Sequence, residues 1–271
     1  MTQQQAQMMV NDTGLDGKVV IVTGGSSDTE GIGNGRAAAI LCARAGASVV
    51  VVGRRREAAQ LTVDMIEREG GTACVVTGDV TSDDDCKRIV EETVERFGRL
   101  DGLDNNVGES TPGTVVTIDM EKWRDYLRLN VESQMLMGRY AIPAMVETAG
   151  GGSIVNIGSV SALRPKGNAM VYSVTKGANM ALTQAMAVDH AKEGIRVNCV
   201  VIGPVYTPTV YGGGMSEERR QQRAASSLLK IEGTGWDTGH MVRFLLSDQA
   251  RFVTGQCIVV DGGVTLVGPE R

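Results

Sequence analysis

Three side chains in the second half of the chain have the types and spacing of a proton-transfer site. Ser159 ends an apolar run, and Tyr172 and Lys176 follow in the sequence YSVTK. Residues four apart lie on one face of a helix, so the hydroxyl and the ammonium are expected to be neighbours. A nearby cation lowers the pKa of tyrosine from about 10, and a serine hydroxyl can hydrogen-bond a carbonyl oxygen. The combination is suited to proton transfer coupled to hydride transfer to a ketone, but an isolated YxxxK is more often a surface pattern, so this interpretation depends on the other motifs of the chain.

A glycine-rich segment near the start of the chain fits a dinucleotide site and, taken alone, fits a plain tight turn equally well. The sequence VVIVTGGSSDTEGIGNG passes from an apolar run into glycines and then into an alanine-rich segment. Glycines permit a sharp turn and the close approach of a phosphate. A helix starting near Ile32 would direct free N–H groups and its positive dipole end at that phosphate. A P-loop is excluded, because no Gly-Lys-Ser/Thr sequence follows.

The end of the second apolar run indicates which dinucleotide is bound. A carboxylate usually stands there and binds the ribose hydroxyls. In VVVVGRRRE, Gly53 occupies that position and Arg54 follows it. Because a guanidinium pairs well with a phosphate, we interpret Arg54 as a contact for the 2′-phosphate of NADP(H), with NAD(H) as the alternative cofactor. The other interpretation is that the three arginines only begin a solvated helix.

Seven short apolar runs alternate with amphipathic segments. The runs cover residues 19–22, 48–52, 73–76, 100–105, 153–157, 196–201 and 257–260, and helices are predicted at 57–69 and 83–97. Nearly continuous apolar runs are typical of strands covered on both faces, and strands that alternate with helices pair in parallel. We therefore predict an α/β fold with a doubly wound parallel sheet of seven strands, helices on both faces, and ligands at the carboxyl ends of the strands.

Composition excludes several other classes of protein. The net charge of −5 argues against nucleic acid as the main partner, and no apolar run reaches the ~20 residues of a membrane helix. The N-terminal segment lacks the features of a secretory signal. Five scattered cysteines indicate free thiols in a reducing cytoplasm, and two histidines without ligand spacing argue against a metal site. We expect a loose tail over residues 1–16 and one domain over 17–271.

A series of short motifs resembles the short-chain dehydrogenase/reductase family over most of the chain. In order, the motifs are TGx(6)GIG, GDV, NNVG, LRLNVES, IVNIGS, YSVTK, RVN, GPVYTP and VDGG. Within the family, the chain resembles 3-oxoacyl-ACP reductase-like members. The resemblance implies a one-domain Rossmann fold and an enzyme that interconverts a secondary alcohol and a ketone. It also implies a tetrad of Asn130, Ser159, Tyr172 and Lys176.

The resemblance gives each member of the tetrad a role. Tyr172 would be the general acid/base, and Ser159 would orient the substrate. Lys176 would lower the pKa of Tyr172 and bind the nicotinamide ribose, while Asn130 would hold a water of the proton relay. Together with Arg54, the cofactor contacts would be Gly24, Ser26, Ser27, Gly31, Ile32, Asp79, Val80, Asn106, Gly108, Tyr172, Lys176, Val205 and Thr207. Residues 205–234 would form a lid over a small carbonyl or alcohol substrate, and the chain would assemble as a homotetramer.

The chain departs from the usual family pattern in two places that affect these expectations. The glycine loop is three residues longer than the usual TGxxxGIG, and it contains Asp28 and Glu30, which would repel a nearby 2′-phosphate. The longer loop is expected to let both acids turn into water, where screening weakens the repulsion. Asp104 stands in the fourth strand where an apolar residue is usual, and a buried carboxylate should need a partner.

Two other functions fit parts of the pattern. A nucleotide sensor without catalysis could share the fold, but it would not need both Tyr172 and Lys176. A Rossmann-fold methyltransferase would not need the YxxxK spacing after a serine at a strand end. Turnover of a carbonyl compound with NADPH would separate an enzyme from a sensor.

Overall fold

A parallel sheet of seven strands forms the centre of the molecule, which the computed structural model describes for residues 14–212 and 214–266. Its order is β3-β2-β1-β4-β5-β6-β9, so the strand order reverses between β1 and β4. The strands are β1 (Val19–Thr23), β2 (Ser48–Gly53), β3 (Thr72–Thr77), β4 (Gly102–Asn105), β5 (Gly152–Ser159), β6 (Ile195–Ile202), β7 (Val205–Tyr206), β8 (Gly233–Thr234) and β9 (Cys257–Val260). The short strands β7 and β8 pair separately, beyond the end of β6.

Helices cover both faces of the sheet. They are α1 (Asn34–Arg44), α2 (Arg56–Arg68), α3 (Asp83–Phe97), α4 (Met120–Leu127), α5 (Ser133–Ala149), α6 (Met170–His190), α7 (Pro208–Tyr211), α8 (Glu217–Ala225) and α9 (Gly235–Leu246). Residues of α1, α2 and α9 share one apolar cluster with the sheet, and residues of α3, α5 and α6 share the other. A single π-helical turn, Arg128–Glu132, joins α4 to α5.

The apolar runs form buried strands because alternate side chains enter the two clusters. In β1, Val20 and Val22 pack with α1 and α9, whereas Ile21 packs on the opposite face. All five β1 residues are therefore buried, as expected for a parallel strand between two helical layers. The predicted fold class, a single domain with a doubly wound parallel sheet, is confirmed.

Local signals also place the element ends. Helix α3 begins at Asp83 as predicted, because the Ser82 hydroxyl accepts a hydrogen bond from the Asp85 N–H at 3.3 Å. It ends at Phe97 and is followed by Gly98, which has the left-handed φ of 75° that glycine adopts without strain. The prediction for β4 was too long at its start, since the strand begins at Gly102 rather than at Leu100.

The inner end of the predicted tail packs on the domain. Leu15 is only 1% exposed and belongs to the apolar cluster under α1 and α9. The Gly14 carbonyl accepts a hydrogen bond from the Asp248 N–H at 3.3 Å. Burial of Leu15 therefore brings residues 14–16 into the domain. The remainder of the predicted tail, residues 1–13, lies outside the described residues.

Asp104 is buried within the sheet without the partner that the sequence led us to expect. It lies in register between Val22 and Val155 and is 0% exposed. Neither of its carboxylate oxygens has a hydrogen-bond partner among the described residues. Burial raises the pKa of Asp104 well above its ordinary value, so the proton stays on this side chain in the folded protein at pH values where it leaves the unfolded chain.

We predict that Asp104→Val raises the free energy of unfolding by about 1–3 kcal/mol, because an unpaired buried polar group is replaced by an apolar one of similar size. The unfolded chain releases this proton near pH 4, whereas the folded chain retains it. Wild-type stability therefore falls as pH rises from about 4 towards the folded pKa, and the advantage of the variant should grow over that window. Urea unfolding at several pH values measures the difference.

Asp101→Asn is the matched control at the start of the same strand. The Asp101 carboxylate accepts hydrogen bonds from Arg99 at 2.6 and 2.8 Å and from the Val19 N–H at 2.9 Å. This variant should lose stability at neutral pH, opposite in sign to Asp104→Val. If Asp104→Val is as destabilising as Asp101→Asn, Asp104 has a favourable partner and the description of its surroundings is wrong.

Candidate active site

A cavity of about 1370 Å³ lies at the carboxyl ends of the strands, where the strand order reverses. It runs from the glycine loop after β1 to the segment after β6. The sequence-predicted residues that line it are Gly24, Ser26, Ser27, Arg54, Asp79, Val80, Asn106, Gly108, Ser159, Tyr172, Lys176, Val205 and Thr207. Three further predicted residues, Gly31, Ile32 and Asn130, are not among its lining residues.

Ser159, Tyr172 and Lys176 meet on one wall of this cavity. Ser159 is the last residue of β5, and its hydroxyl hydrogen-bonds Tyr172 in the first turn of α6. Lys176 lies one turn further along α6 and is 2% exposed. Its Nζ donates to the Ile157 carbonyl at 2.7 Å and lies 5.7 Å from the centroid of the Tyr172 ring. The strand end and the helix face therefore bring the three polar groups together.

Burial controls the acidity of both titratable groups. It raises the pKa of Tyr172 above its ordinary value, and the hydrogen bond with Ser159 offsets part of that increase. Burial lowers the pKa of Lys176 to about 8, with a smaller opposing effect from Cys199. Desolvation of the phenol has the largest effect on the pKa of Tyr172 in this structure. Tyr172 is therefore a protonated acid at neutral pH. The expectation that Lys176 lowers this pKa stays a prediction.

Asn130 holds the loop after β4 against α6. It is fully buried in the π-helical turn, and its Oδ1 accepts from the Glu109 N–H at 2.8 Å. Its Nδ2 donates to the Glu109 carbonyl at 2.8 Å and to the Thr175 hydroxyl at 3.0 Å. The side chain thus bonds protein groups on both sides. The water-holding role implied by the family resemblance stays a prediction.

Backbone groups form the other end of the cavity. A Cβ at Gly35 would lie 2.6 Å from the Gly24 carbonyl oxygen, so the start of α1 approaches the loop too closely for a side chain. Helix α1 begins at Asn34, two residues after the expected start near Ile32, and no side chain caps it. Gly33 and Asn34 line the cavity. The unpaired N–H groups at this helix start are suited to an anion.

The enlarged loop places Asp28 at the cavity, since Asp28 is one of the lining residues. Asp28 and Glu30 are exposed, as expected. Asp28 also forms an ion pair with Arg55, a contact that the sequence pattern did not reveal. Arg54 is exposed, lines the cavity and forms no ion pair among the residues that the structure describes. At the end of β2, a Cβ at Gly53 would lie 2.7 Å from the Ser26 hydroxyl, so Ser26 fills the space where a carboxylate side chain would begin.

Comparison with known proteins identifies the family. A family model described as Enoyl-(Acyl carrier protein) reductase matches residues 25–265. A short-chain type dehydrogenase/reductase from Mycobacterium ulcerans has a similar structure, with a TM-score of 0.85 and 35% identity over 93% of this chain and 90% of that one. The chain belongs to the short-chain dehydrogenase/reductase family.

Other short-chain dehydrogenases/reductases match over nearly the whole chain. A protein of Thermotoga maritima described as an uncharacterized oxidoreductase is 36% identical, covering 93% of this chain and 99% of the relative. The 7alpha-hydroxysteroid dehydrogenase of Bacteroides fragilis is 32% identical, covering 94% of this chain and 97% of the relative. These matches make the chain an oxidoreductase of the dehydrogenase type.

The predicted lid of this short-chain dehydrogenase/reductase is held by its own polar contacts. Arg220 and Arg223 both bond the Glu232 carboxylate at 3.1 Å. The Arg220 guanidinium also lies 4.0 Å from the centroid of the Tyr206 ring, and Arg223 donates to the Val205 carbonyl at 2.9 Å. These contacts tie α8 to both β7 and the residues before β8. The lid role itself stays a prediction.

Within residues 14–212 and 214–266, no cluster of three or more His, Cys, Asp and Glu residues could hold a metal ion. In the same part of the chain, no helix combines the length and the apolar character needed to cross a membrane. All five cysteines are free thiols. The cytoplasmic location expected from them stays a prediction.

Proposed function

We propose that this chain interconverts a secondary alcohol and a ketone with NADP(H) as the hydride carrier. The observation that carries the proposal is the joint placement of Ser159, Tyr172 and Lys176 on a cavity that continues to the glycine loop. The hydroxysteroid dehydrogenase relative supports the substrate class, since its name describes oxidation at a hydroxyl-bearing carbon. A narrower substrate, a 3-oxoacyl thioester, is the alternative that a screen of carbonyl compounds would test.

The residues at the glycine loop fit a dinucleotide. The close approach of Gly24 and Gly35 leaves backbone groups facing the cavity, and the start of α1 adds unpaired N–H donors and the positive end of its dipole. When bound, the cofactor supplies or accepts the hydride at its nicotinamide ring. Val205 and Thr207, near the other end of the cavity, would contact that ring's amide.

Ser159 and Tyr172 would handle the proton on the substrate oxygen. The Ser159 hydroxyl would donate a hydrogen bond to the carbonyl oxygen and hold it next to the phenol. In the direction of reduction, Tyr172 would donate its proton to that oxygen as negative charge develops there. The raised pKa of Tyr172 keeps the proton available at neutral pH. The Lys176 ammonium, with a pKa of about 8, would stabilise the resulting tyrosinate.

The preference for NADP(H) over NAD(H) rests on the end of β2. Ser26 occupies the space beside Gly53, so no carboxylate is present there to bind the ribose hydroxyls or repel a phosphate. Asp28 is paired with Arg55, and both line the same cavity as Arg54, which forms no ion pair among the described residues. This arrangement supports a 2′-phosphate bound by Arg54.

Tyr172→Phe should lower kcat by about 10²–10⁴-fold, because only the proton-donating oxygen is lost. The Kd for NADPH, measured by cofactor fluorescence, should stay within about twofold of the wild-type value, which would assign the loss of activity to the chemical step. Tyr140→Phe is the control, since the Tyr140 hydroxyl bonds the exposed Asp83 outside the cavity. Retention of most of the wild-type kcat in Tyr172→Phe would exclude the assigned role.

Arg54→Ala should raise KM for NADPH by about tenfold or more, the effect of losing one charge-assisted hydrogen bond to phosphate. KM for NADH should change little, because that cofactor has no 2′-phosphate. Arg56→Ala is the matched control, as Arg56 is exposed but does not line the cavity. Equal effects of Arg54→Ala on both cofactors, or better use of NADH by the wild-type protein, would contradict the proposed preference.

We also propose a homotetramer in which α5 and α6 pack between subunits. Four large apolar side chains on these helices are at least 37% exposed in the single chain: Met135, Val146, Val174 and Val188. Burying them against a second copy would remove apolar surface from water. Light scattering at micromolar concentration should give four times the mass of one chain, and a monomer would contradict the proposal.

A further inference from the structure

Arg36 is a buried cation directly beneath the enlarged glycine loop. It lies in the first turn of α1, next to Ala37, Ala38 and Ala39, and is 1% exposed. Among the described residues it forms no ion pair with a carboxylate. A buried guanidinium without a carboxylate needs several hydrogen-bond acceptors to offset its lost hydration, and these acceptors come mainly from one loop.

Three hydrogen bonds from Arg36 hold the loop from the inside, and a fourth joins Arg36 to α2. Its Nη2 donates to the Ser27 carbonyl at 3.0 Å, and its Nη1 donates to the carbonyls of Thr29 and of Gly31, the latter at 2.8 Å. Its Nε donates to the Thr62 hydroxyl of α2 at 2.8 Å. The carbonyls of every second loop residue, 27, 29 and 31, thus accept hydrogen bonds from one guanidinium.

Thr62 extends this set of bonds to the beginning of the loop. Its hydroxyl, which accepts from Arg36, donates in turn to the Gly25 carbonyl at 2.7 Å. The carbonyls of Gly25, Ser27, Thr29 and Gly31 are therefore fixed by two adjacent side chains. Without Arg36, the last three would lose their side-chain donor.

The outer side of the same loop touches the predicted lid. A Cβ at Gly31 would lie 2.1 Å from the Tyr211 hydroxyl and 2.7 Å from the Pro208 ring. The end of the loop therefore lies between Arg36 on the inside and α7 on the outside. Its conformation affects both the glycine segment that faces the cavity and the packing of the lid.

We propose that Arg36 is the positioning residue for the enlarged loop, and that it holds the three additional residues so that the glycine segment can bind the cofactor pyrophosphate. The part that concerns the cofactor rests on the proposed function. Removal of Asp28, Thr29 and Glu30 leaves TGGSSGIG, the usual family spacing. A loop of that length lacks the Thr29 carbonyl and should not depend on Arg36.

The test is a double-mutant cycle of wild type, Arg36→Met, deletion of residues 28–30, and the two changes combined. In the long loop, Arg36→Met should raise the Kd and KM for NADPH by about tenfold, with kcat changed by less than about threefold. In the shortened loop, the same substitution should change Kd by less than about twofold. Arg44→Met is the control, because Arg44 lies on the same helix and contacts Glu69 and the Trp236 ring, neither of which lines the cavity.

Two results would overturn the proposal. One is an unchanged Kd in Arg36→Met despite a lower Tm, which would make Arg36 a purely structural residue. The other is an equal loss of affinity in the long and short loops. If Arg36→Met does not fold, Thr62→Val takes its place in the cycle, since it removes the bond to Gly25 and one acceptor of Arg36.

Hydrogen exchange separates this proposal from the proposed function. With no cofactor added, amide exchange over residues 25–31 should be faster in Arg36→Met than in wild type, with β1 and β2 unchanged. Failure of wild type to bind NADPH and NADH would count against the proposed function alone. In that case, the exchange comparison would still test the role of Arg36. Equal exchange over residues 25–31 in Arg36→Met and wild type would overturn the positioning role, and faster exchange in Arg36→Met would support it.

Discussion

The hydrogen bond from the Lys176 ammonium to the Ile157 carbonyl fixes the geometry of the site. It joins the face of α6 to the end of β5 at 2.7 Å and places Tyr172 beside Ser159. A cation can be buried there because the parallel strands end together and present polar backbone groups. Gly158, the residue after Ile157, has no room for a side chain, since a Cβ at this position would lie 2.7 Å from the Cys199 sulfur on the neighbouring strand. Burial then sets the pKa of Lys176 to about 8 and keeps Tyr172 protonated.

The opposite end of the cavity is organised by side chains that compensate for an unusually long loop. Arg36 and Thr62 hold the loop carbonyls on the inside, while Asp28 pairs with Arg55 on the outside. These contacts leave Arg54 without an ion pair among the described residues, and the paired Asp28 lines the same cavity as Arg54. The proposed preference for NADP(H) would therefore depend on loop length, because the contacts that fix the longer loop also determine which charges lie at the cavity.

The fold and the placement of Tyr172 beside Lys176 were predictable because both follow from short-range patterns. Continuous apolar runs gave the buried parallel strands, and the four-residue spacing of Tyr172 and Lys176 placed them on one helix face. The contacts that could not be predicted form where the enlarged loop packs against α1 and α2. Arg36 stands out in an alanine-rich segment, but its partners depend on the three-dimensional course of the loop. Asp104 was expected to have a partner, yet neither of its carboxylate oxygens has one among the described residues. Burial raises the pKa of Asp104, so its carboxyl group stays protonated and uncharged without a cation beside it.

The central claim is that a hydride passes in this cavity from the cofactor to the carbonyl carbon of the substrate, while Tyr172 protonates the carbonyl oxygen. The most direct test is a single turnover with NADPH deuterated at one of the two C4 positions, using the carbonyl compound that is reduced fastest. Mass spectrometry of the alcohol should show one deuterium on the carbinol carbon from one of the two labelled cofactors and none from the other. Absence of reduction for every carbonyl tested, or loss of the label to solvent, would contradict the account.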